Sequence, residues 1–454
     1  MTNFAVVFGQ HLRGRFPFFE ISIIALYINL LMKRFLLSAS LSLLAASAIL
    51  AGTVPADMVV ASPVAAESAV AALSPSFSPS ASTVVEKTAV DNDKFKVTPL
   101  GTLLLDGALF ASPQKNQFPD GVAIPDVRLG VSGSIGKWSA KIEMGYAYGK
   151  VLLKDIWMQY NFSSTDFIRG GMQMHHFGYQ NSQAACMKVT MIEPVCNTVF
   201  NEAHMIGIEW YHSADKYYTT LAAHAEPKAS TVTLGVDEMI REGYGLRTRI
   251  VARPIHRDGL MVQAGISGAF LTPQYNGSSS KEDTHDSFTF GANFPSKVTL
   301  VSAINAKVDH AMNLWKFSPE LMFCYGRAAI ESQYYFMQVN RRMDLTAYRA
   351  TGAYATLRGI LIGRDYRYNM GVAGIDTPAK GSLEAVASYN YTSLSDSRAA
   401  IYGGRLIDLR LGFNYYINIY MVAKLRYSYT HTWDRAEVEP MTLNAFQARL
   451  QLIF

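Results

Sequence analysis

Arginine recurs on one side of a single stretch of the chain. Arg247, Arg249 and Arg253 fall at odd positions of 241–253, and uncharged side chains fill the even positions from 246 to 252. Successive side chains of a β-strand point to opposite faces, so these arginines share one face. Clustered guanidinium groups can replace the hydration of an anion with several charge-assisted hydrogen bonds. The spacing therefore predicts a water-facing arginine ladder that attracts anions.

Further cations receive the same assignment from the polar faces of other predicted strands: Arg169, Arg358, Arg410, Lys424, Arg426 and Arg449. An alternative stays open, because Asp408, Glu384 and Glu143 could pair with these cations and leave them a packing role. The formal net charge of +5 is too mild for a nucleic-acid partner and indicates a slight anion preference.

The elements that carry these side chains have a period of two. From 138 to 148 apolar residues occupy every even position, with Lys141 and Glu143 between them, and similar segments of about ten residues recur up to 454. Strands of this length, with one apolar face and terminal aromatics, are typical of a membrane-spanning barrel. The sequence predicts an all-β protein, a closed antiparallel transmembrane β-barrel over 96–454.

Seventeen segments qualify as strands, although bacterial single-chain barrels have an even number. Either one assignment is wrong or a strand is missed, with 288–293 as the candidate. Sixteen strands are expected, and eighteen are the alternative. The stretch 364–381 breaks the alternation of short and long connections, which also indicates a miscount.

The N-terminal part of the chain is interpreted as a targeting segment. Residues 32–66 have a positive start, an apolar Ala- and Ser-rich core and small-residue cleavage sites after Ala48, Ala56 or Ala66. They predict a secretory signal peptide, with a transmembrane helix as the alternative. Residues 1–31 are interpreted as an over-extended reading frame, or else an inner-membrane anchor, and 67–95 as a flexible linker.

The last predicted strand alternates up to its aromatic end. Phe446, Leu450, Leu452 and Phe454 share its apolar face, opposite Arg449. This pattern resembles the signal by which outer-membrane barrels are recognised by their assembly machinery.

The chain from about 100 onward resembles the phosphate-selective porin family of Gram-negative outer membranes. The resemblance rests on 101–106, on Lys154, Asp155, 159–162, Ile168 and Arg169, on Gly171, Gln173, Phe177 and Gly178, and on 408–416, Tyr427 and 446–454. It implies a sixteen-stranded homotrimeric porin with a long loop folded into the lumen. One departure is that Met174, His175 and His176 replace a lysine-bearing segment of the family.

The resemblance places that loop at 175–202, where Lys188 is the one fixed cation. His175, His176 and Lys188 are therefore the candidate constriction residues. His204 lies close by, but the spacing does not favour a metal site, and no cofactor is predicted.

Two cysteines lie in the same loop. Cys186 and Cys196 are predicted to form a disulfide in the oxidising periplasm, where it would stiffen the loop, with two reduced thiols as the alternative. Cys324 is left over.

The predicted function is passive diffusion of small hydrophilic solutes through the outer membrane, with a slight preference for anions, phosphate among them. The expected partners are membrane lipid, lipopolysaccharide, the barrel assembly machinery and the solutes. A non-conducting structural or adhesive barrel is the alternative. An outer-membrane enzyme is the weakest, because the sequence has no G-x-S-x-G, H-E-x-x-H or P-loop motif.

Overall fold

The computed structural model describes residues 94–184, 188–202, 204–225, 239–241, 243–273, 275–277 and 287–454. Sixteen antiparallel strands form one closed barrel, in which each strand pairs with its sequence neighbours. Closure gives each strand a partner on both sides, so no strand lies at an open edge of the sheet, as a sheet in lipid requires. The all-β closed barrel and its count of sixteen strands are confirmed.

The barrel strands are numbered here in chain order, and most are longer than the strands of soluble proteins. Their bounds are β1 Lys96–Ala111, β2 Gly121–Ile135, β3 Trp138–Ala147, β4 Lys150–Asn161, β5 Asp166–Gln173, β6 Met205–Ser213, β7 Tyr217–Ala225, β8 Tyr244–Arg257, β9 Leu260–Leu271, β10 Ala311–Tyr325, β11 Ala328–Arg341, β12 Tyr348–Ile362, β13 Leu383–Asp396, β14 Ile401–Tyr416, β15 Met421–Arg435 and β16 Met441–Ile453.

Burial alternates along the strands, and this alternation identifies the two faces of the wall. In β3 the side chains of Trp138, Ile142 and Met144 are exposed, whereas Lys141 and Glu143 are buried. The exposed face is apolar and suits lipid, and the buried polar face points into the barrel. Charged groups therefore collect inside, where they must find hydrogen-bond partners.

One of the seventeen segments predicted as barrel strands is 297–308, and its assignment to the barrel was wrong. Ser302–Asp309 pairs with Ser287–Asn293 in a separate two-stranded sheet, which also contains the candidate 288–293. This hairpin places Phe288 and Phe290 in an apolar cluster with side chains of the barrel wall. Its period of two is that of a strand, but its apolar side chains are buried against the barrel interior.

The connections differ between the two rims. At one rim most strands are joined by short turns such as 136–137, 258–259 and 326–327. The other rim carries the long segments 174–204 and 272–310, together with shorter connections such as 148–149. The connection 363–382 is an exception, because it is long and lies at the short-turn rim. It carries the small ladder of Tyr368–Asn369 with Gly374–Ile375. This long connection, and not a missed strand, breaks the alternation.

The seam between β1 and β16 closes the barrel. Asp106 lies opposite Arg449, and the register continues from Thr102 to Ala111. Beyond the last strand, Phe454 and Gly101 exchange two backbone hydrogen bonds of 2.7 and 3.0 Å. The Phe454 ring lies where a side chain at 101 would be, so a larger residue at 101 would have to displace that ring.

In the described part of the connection between β5 and β6 there are two short helices, α1 Gly178–Asn181 and α2 Val195–Phe200. Among the residues that the structure describes, no helix is long and apolar enough to cross a membrane. The predicted signal peptide, the segment before it and the linker up to 93 lie outside the described residues and stay predictions.

Candidate functional site

The cationic side chains assigned to the lumen all lie on the inward face, and none is more than 6% exposed. They are Arg169 on β5, Arg247, Arg249 and Arg253 on β8, Arg358 on β12, Arg410 on β14, Lys424 and Arg426 on β15, and Arg449 on β16. Burial to this degree means that each contacts other groups of the protein.

Arg249 is held from two sides of the barrel. Its guanidinium is forked on the Glu320 carboxylate of β10, with N–O distances of 2.6 and 3.1 Å. It also donates to the carbonyls of Val372 and Ala373, at 2.7 and 3.1 Å. The connection 363–382 therefore reaches the middle of the arginine ladder.

The other two ladder arginines have different partners. Arg247 is paired with Glu202 and donates to His224 Nε2 at 3.1 Å. Arg253 binds backbone oxygens, among them Asp215 O and Met370 O at 3.1 Å each. Arg253 thus ties the β6–β7 turn to the connection 363–382.

The Glu202 carboxylate is stabilised in its charged form by the cations beside it. Burial would raise the pKa of its carboxyl group, but Arg247 and Lys316 lower that pKa to about 2. Glu202 is therefore ionised at neutral pH and neutralises part of the local positive charge.

The last three strands carry a second basic group of side chains. Arg449 is forked on Asp106 at 2.6 and 2.7 Å, and Arg410 is paired with Asp408 on its own strand. Lys424 and Arg426 lie on β15 between them. We call Arg410, Lys424, Arg426 and Arg449 the C-terminal basic wall.

Carbonyl oxygens of one chain segment, 188–193, face this wall. Lys424 Nζ donates to Lys188 O at 2.7 Å, and Arg410 donates to Glu193 O at 3.0 Å. Arg410 also donates to Ile192 O, and Arg449 donates to Met191 O. This irregular segment therefore offers its carbonyls where several cations point.

Lys188 itself does not project freely. Its ammonium group is 2.5 Å from a Glu193 carboxylate oxygen. Burial would raise the pKa of Glu193, but Lys188 holds it below the ordinary value. The candidate constriction cation is thus neutralised within its own segment.

The two adjacent histidines bind different partners. His175 Nδ1 is 3.0 Å from Glu209 Oε2, and the Tyr218 hydroxyl is 2.8 Å from His176 Nδ1. Burial lowers the pKa of His176 to about 4, so its imidazole is neutral at pH 7. His204 lies instead beside Asp155 at 3.4 Å.

No group of three or more His, Cys, Asp or Glu in the described ranges could hold a metal ion. Cys186 lies outside the described residues, so the Cys186–Cys196 disulfide stays a prediction. Cys196 is buried in α2, next to Gly352 of β12.

Arg358 and Arg169 lie in polar networks of the wall. Arg358 donates to Glu384 at 2.7 Å, and Glu384 also accepts from the Tyr366 and Tyr416 hydroxyls. Arg169 donates to Gln159 and stacks 4.1 Å above the Trp157 ring.

Sequence reasoning missed the acidic partner Glu320 and the carbonyls of 363–382. Glu320 could have been found, because it shares the inward face of β10 with Lys316 and Ser318. The carbonyls leave no trace in side-chain patterns.

The residues of the predicted assembly signal lie on the outward face of β16. Phe446, Leu450 and Leu452 alternate with buried Gln447, Arg449 and Gln451, and Phe454 is 46% exposed.

Comparisons with known proteins agree with the barrel fold. A family model described as phosphate-selective porin O and P matches residues 109–454. A search of curated proteins found no match.

Among solved structures, in-vitro folded OmpT of Vibrio cholerae, in a trimer form, is 13% identical, with a TM-score of 0.52 over 80% of this chain and 100% of that chain. Its loop L8 deletion mutant is 12% identical, with a TM-score of 0.51 over the same shares. An anion-selective porin from Comamonas acidovorans is 10% identical, with a TM-score of 0.48, over 80% of this chain and 100% of that one.

Proposed function

Because the chain belongs to the phosphate-selective porin O and P family, we propose that it lets small hydrophilic solutes diffuse across the outer membrane, with a preference for anions. The chain is an outer-membrane porin by family and fold. The anion preference and phosphate as a solute are the finer parts of the proposal.

The observation that carries the anion preference is the C-terminal basic wall. Its four cations on β14, β15 and β16 face inward, where Asp408 pairs with Arg410 and Asp106 pairs with Arg449. A water-filled path along this wall would have a positive potential, which concentrates anions.

We also propose that the segments 174–204 and 363–382 lie in the lumen and set its width. The support is that both bind inward-facing arginines of the wall. The Tyr179 hydroxyl of one accepts from the Ile375 amide of the other at 3.2 Å, so the two segments touch.

The test is the reversal potential of the purified protein in a planar bilayer across a potassium chloride gradient. We expect the sign of an anion-preferring pore, and a shift toward cations in Lys424→Gln. Lys307→Gln is the control, because Lys307 is 62% exposed on the separate hairpin. A cation-preferring wild type would contradict the proposal.

A non-conducting barrel is the second candidate, favoured by the near-complete burial of the inward cations. Conductance separates the two functions, since a plugged barrel passes no current. The homotrimer, the contacts with lipid and lipopolysaccharide, and recognition of the last strand by the assembly machinery remain parts of the proposal. The trimer form belongs to the OmpT structure.

A further inference from the structure

Three arginines lie outside the lumen, at the rim that carries the long connections. Arg349 is the second residue of β12, Arg398 lies in the turn between β13 and β14, and Arg405 lies near the start of β14. Both strand neighbours of Arg349 and of Arg405 are buried, so alternation places these two side chains on the outward face. We call Arg349, Arg398 and Arg405 the outer arginine patch.

The two strand arginines of the patch are near one another across the sheet. Arg405 lies opposite Ser393 of β13, and Ser393 lies opposite Thr351 of β12. Arg349 is two residues from Thr351 on the same face. Two strand spacings across and one two-residue step along the strand separate the Cα atoms of Arg349 and Arg405 by about 12 Å. Their long side chains can therefore reach one ligand of moderate size.

The patch has more positive than negative charge. Asp434 pairs with Arg405 at 3.0 Å, and Asp396 pairs with Arg398 at 3.3 Å. Arg349 donates instead to an uncharged side-chain amide, and it has no carboxylate partner within the described ranges. The side chains of Arg398 and Arg405 are 59% and 41% exposed, so their guanidinium groups can be reached from outside the barrel.

Outward amide side chains continue from the patch along the wall. Arg349 Nε donates to the Gln338 side chain of β11 at 2.8 Å. Gln338 donates to Asn340 at 2.8 Å, and Asn340 donates to Asn313 of β10 at 2.7 Å. Amide groups are costly to place in hydrocarbon. This row of amides therefore indicates that the patch lies at the level of the lipid headgroups.

The outward face is aromatic and apolar from this level inward. Trp315 of β10 lies opposite Gln338, and Phe317 follows it on the same face. On β14 the exposed side chains beyond Arg405 include Leu409 and Leu411. Tryptophan is typical of the boundary between headgroups and hydrocarbon. A lipid beside the patch would thus have its head at the arginines and its chains on the apolar wall.

We propose that the outer arginine patch binds the phosphorylated headgroup of lipopolysaccharide. The rim with the long connections is the one expected to face outward from the cell, where this glycolipid forms the outer leaflet. Arginine binds phosphate with charge-assisted, bidentate hydrogen bonds. Two separated guanidinium groups suit a sugar headgroup with two phosphates better than a phospholipid with one. The proposal gives a site to the lipopolysaccharide contact of the proposed function, and it does not depend on conduction.

The test is native mass spectrometry of the full-length protein in detergent, titrated with diphosphoryl lipid A, monophosphoryl lipid A or phosphatidylglycerol. We expect saturable binding of diphosphoryl lipid A, and binding of the other two at least about tenfold weaker. Each lost charge-assisted hydrogen bond is worth about tenfold in affinity. Arg349→Gln combined with Arg405→Gln should therefore weaken binding of diphosphoryl lipid A about a hundredfold.

Two further variants serve as controls. Arg327→Gln removes an arginine that is 55% exposed at the opposite rim, where it pairs with Asp365, and it should bind diphosphoryl lipid A like the wild type. Arg349→Lys combined with Arg405→Lys keeps both charges without the planar fork, and its affinity should lie between those of the wild type and the double Gln variant. Heat-modifiable migration on gels shows that each variant is folded.

Unchanged binding of diphosphoryl lipid A in the double Gln variant would overturn the site, and so would equal affinity of the wild type for phosphatidylglycerol. A variant that keeps lipid A but loses its association with other copies of the chain would also overturn it, because the patch would then be a contact between copies. The reversal potential separates this test from that of the proposed function. A silent barrel that binds lipid A through the patch refutes the pore alone, and a conducting barrel indifferent to lipid A refutes the site alone.

Discussion

At the scale of single residues, buried and exposed ion pairs differ in how much folding stability is lost when one partner is removed. Glu320 and Arg249 are both almost fully buried, whereas Asp258 and Arg367 are each 73% exposed. Deleting one member of a buried pair strands the other charge in a poorly hydrated place. An exposed pair is already hydrated, and its loss changes little.

Glu320→Gln should therefore lower the free energy of unfolding by about 3–5 kcal/mol, because Arg249 keeps its carbonyl partners but loses its counter-charge. Asp258→Asn is the control and should change it by less than about 1 kcal/mol. Urea unfolding in detergent measures both. Equal effects would mean that Arg249 is neutralised by another group.

Burial of neutral His176 should make the stability of the folded protein sensitive to acid. Its pKa in the folded protein is about 4, below the value of about 6.5 in an unfolded chain. The unfolded state therefore binds more protons between these values, and the stability contributed by neutral His176 is lost as pH falls from about 6.5 to about 4. The charged groups around it are Glu209, Arg249 and Arg169, and the titratable neighbours include His175 and Tyr218.

His176→Gln should flatten the pH dependence of unfolding between pH 6.5 and 4. His212→Gln is the control, since His212 lies at the end of β6 and is partly exposed. An unchanged slope in His176→Gln would show that other groups carry the acid sensitivity.

At the scale of elements, the connection 363–382 makes contacts with strands other than the two it joins. It touches Arg249 and Arg253 of β8 through Met370, Val372 and Ala373, and it touches Gln263 of β9 through the Tyr368 hydroxyl at 2.6 Å. These contacts join it to strands far from its own origin in β12 and β13.

Deleting 368–375 should increase single-channel conductance and strengthen the anion preference, because water would replace carbonyls at the arginines of β8. Deleting 437–439, in the connection before β16 at the opposite rim, is the control. An unchanged conductance in the 368–375 deletion would place the narrowest point elsewhere.

The sequence predicts those parts of the molecule that depend on local alternation. The face of Arg247, Arg249 and Arg253 follows from the period of two, since lipid rejects charge on the outer face. The hairpin 287–309 misled the strand count because alternation does not distinguish lipid from an apolar pocket of the same chain. The carbonyl ligands of Arg249 and Arg410 were beyond reach, since every residue has a carbonyl and only tertiary structure aims it.

At the scale of the whole molecule, the barrel depends on one seam. The β1–β16 ladder ends at Phe454, whose backbone bonds Gly101 and whose ring covers it. Removing these contacts leaves the backbone of Gly101 without its partner across the seam, and lipid offers no hydrogen bonds in exchange.

Deleting Phe454, or replacing it with Asp, should prevent assembly while export continues. Heat-modifiable migration on gels and protease resistance in outer-membrane fractions measure assembly. Phe413→Ala is the control, an outward aromatic within β14 that should leave assembly intact. Heat-modifiable protein from the Phe454 deletion would refute the role of this seam.

The same seam also limits how early the barrel can close during folding. The Asp106–Arg449 bond joins residues 343 positions apart, so it cannot form until nearly all of the barrel sequence has been delivered. Contacts between residues so far apart in the sequence form slowly, because the intervening chain must lose conformational entropy before the contact can form. Throughout that delay the free edge of β1 can template pairing with another copy. The longer the β1 edge stays unpaired before β16 reaches it, the longer the unfolded protein must be protected from aggregation.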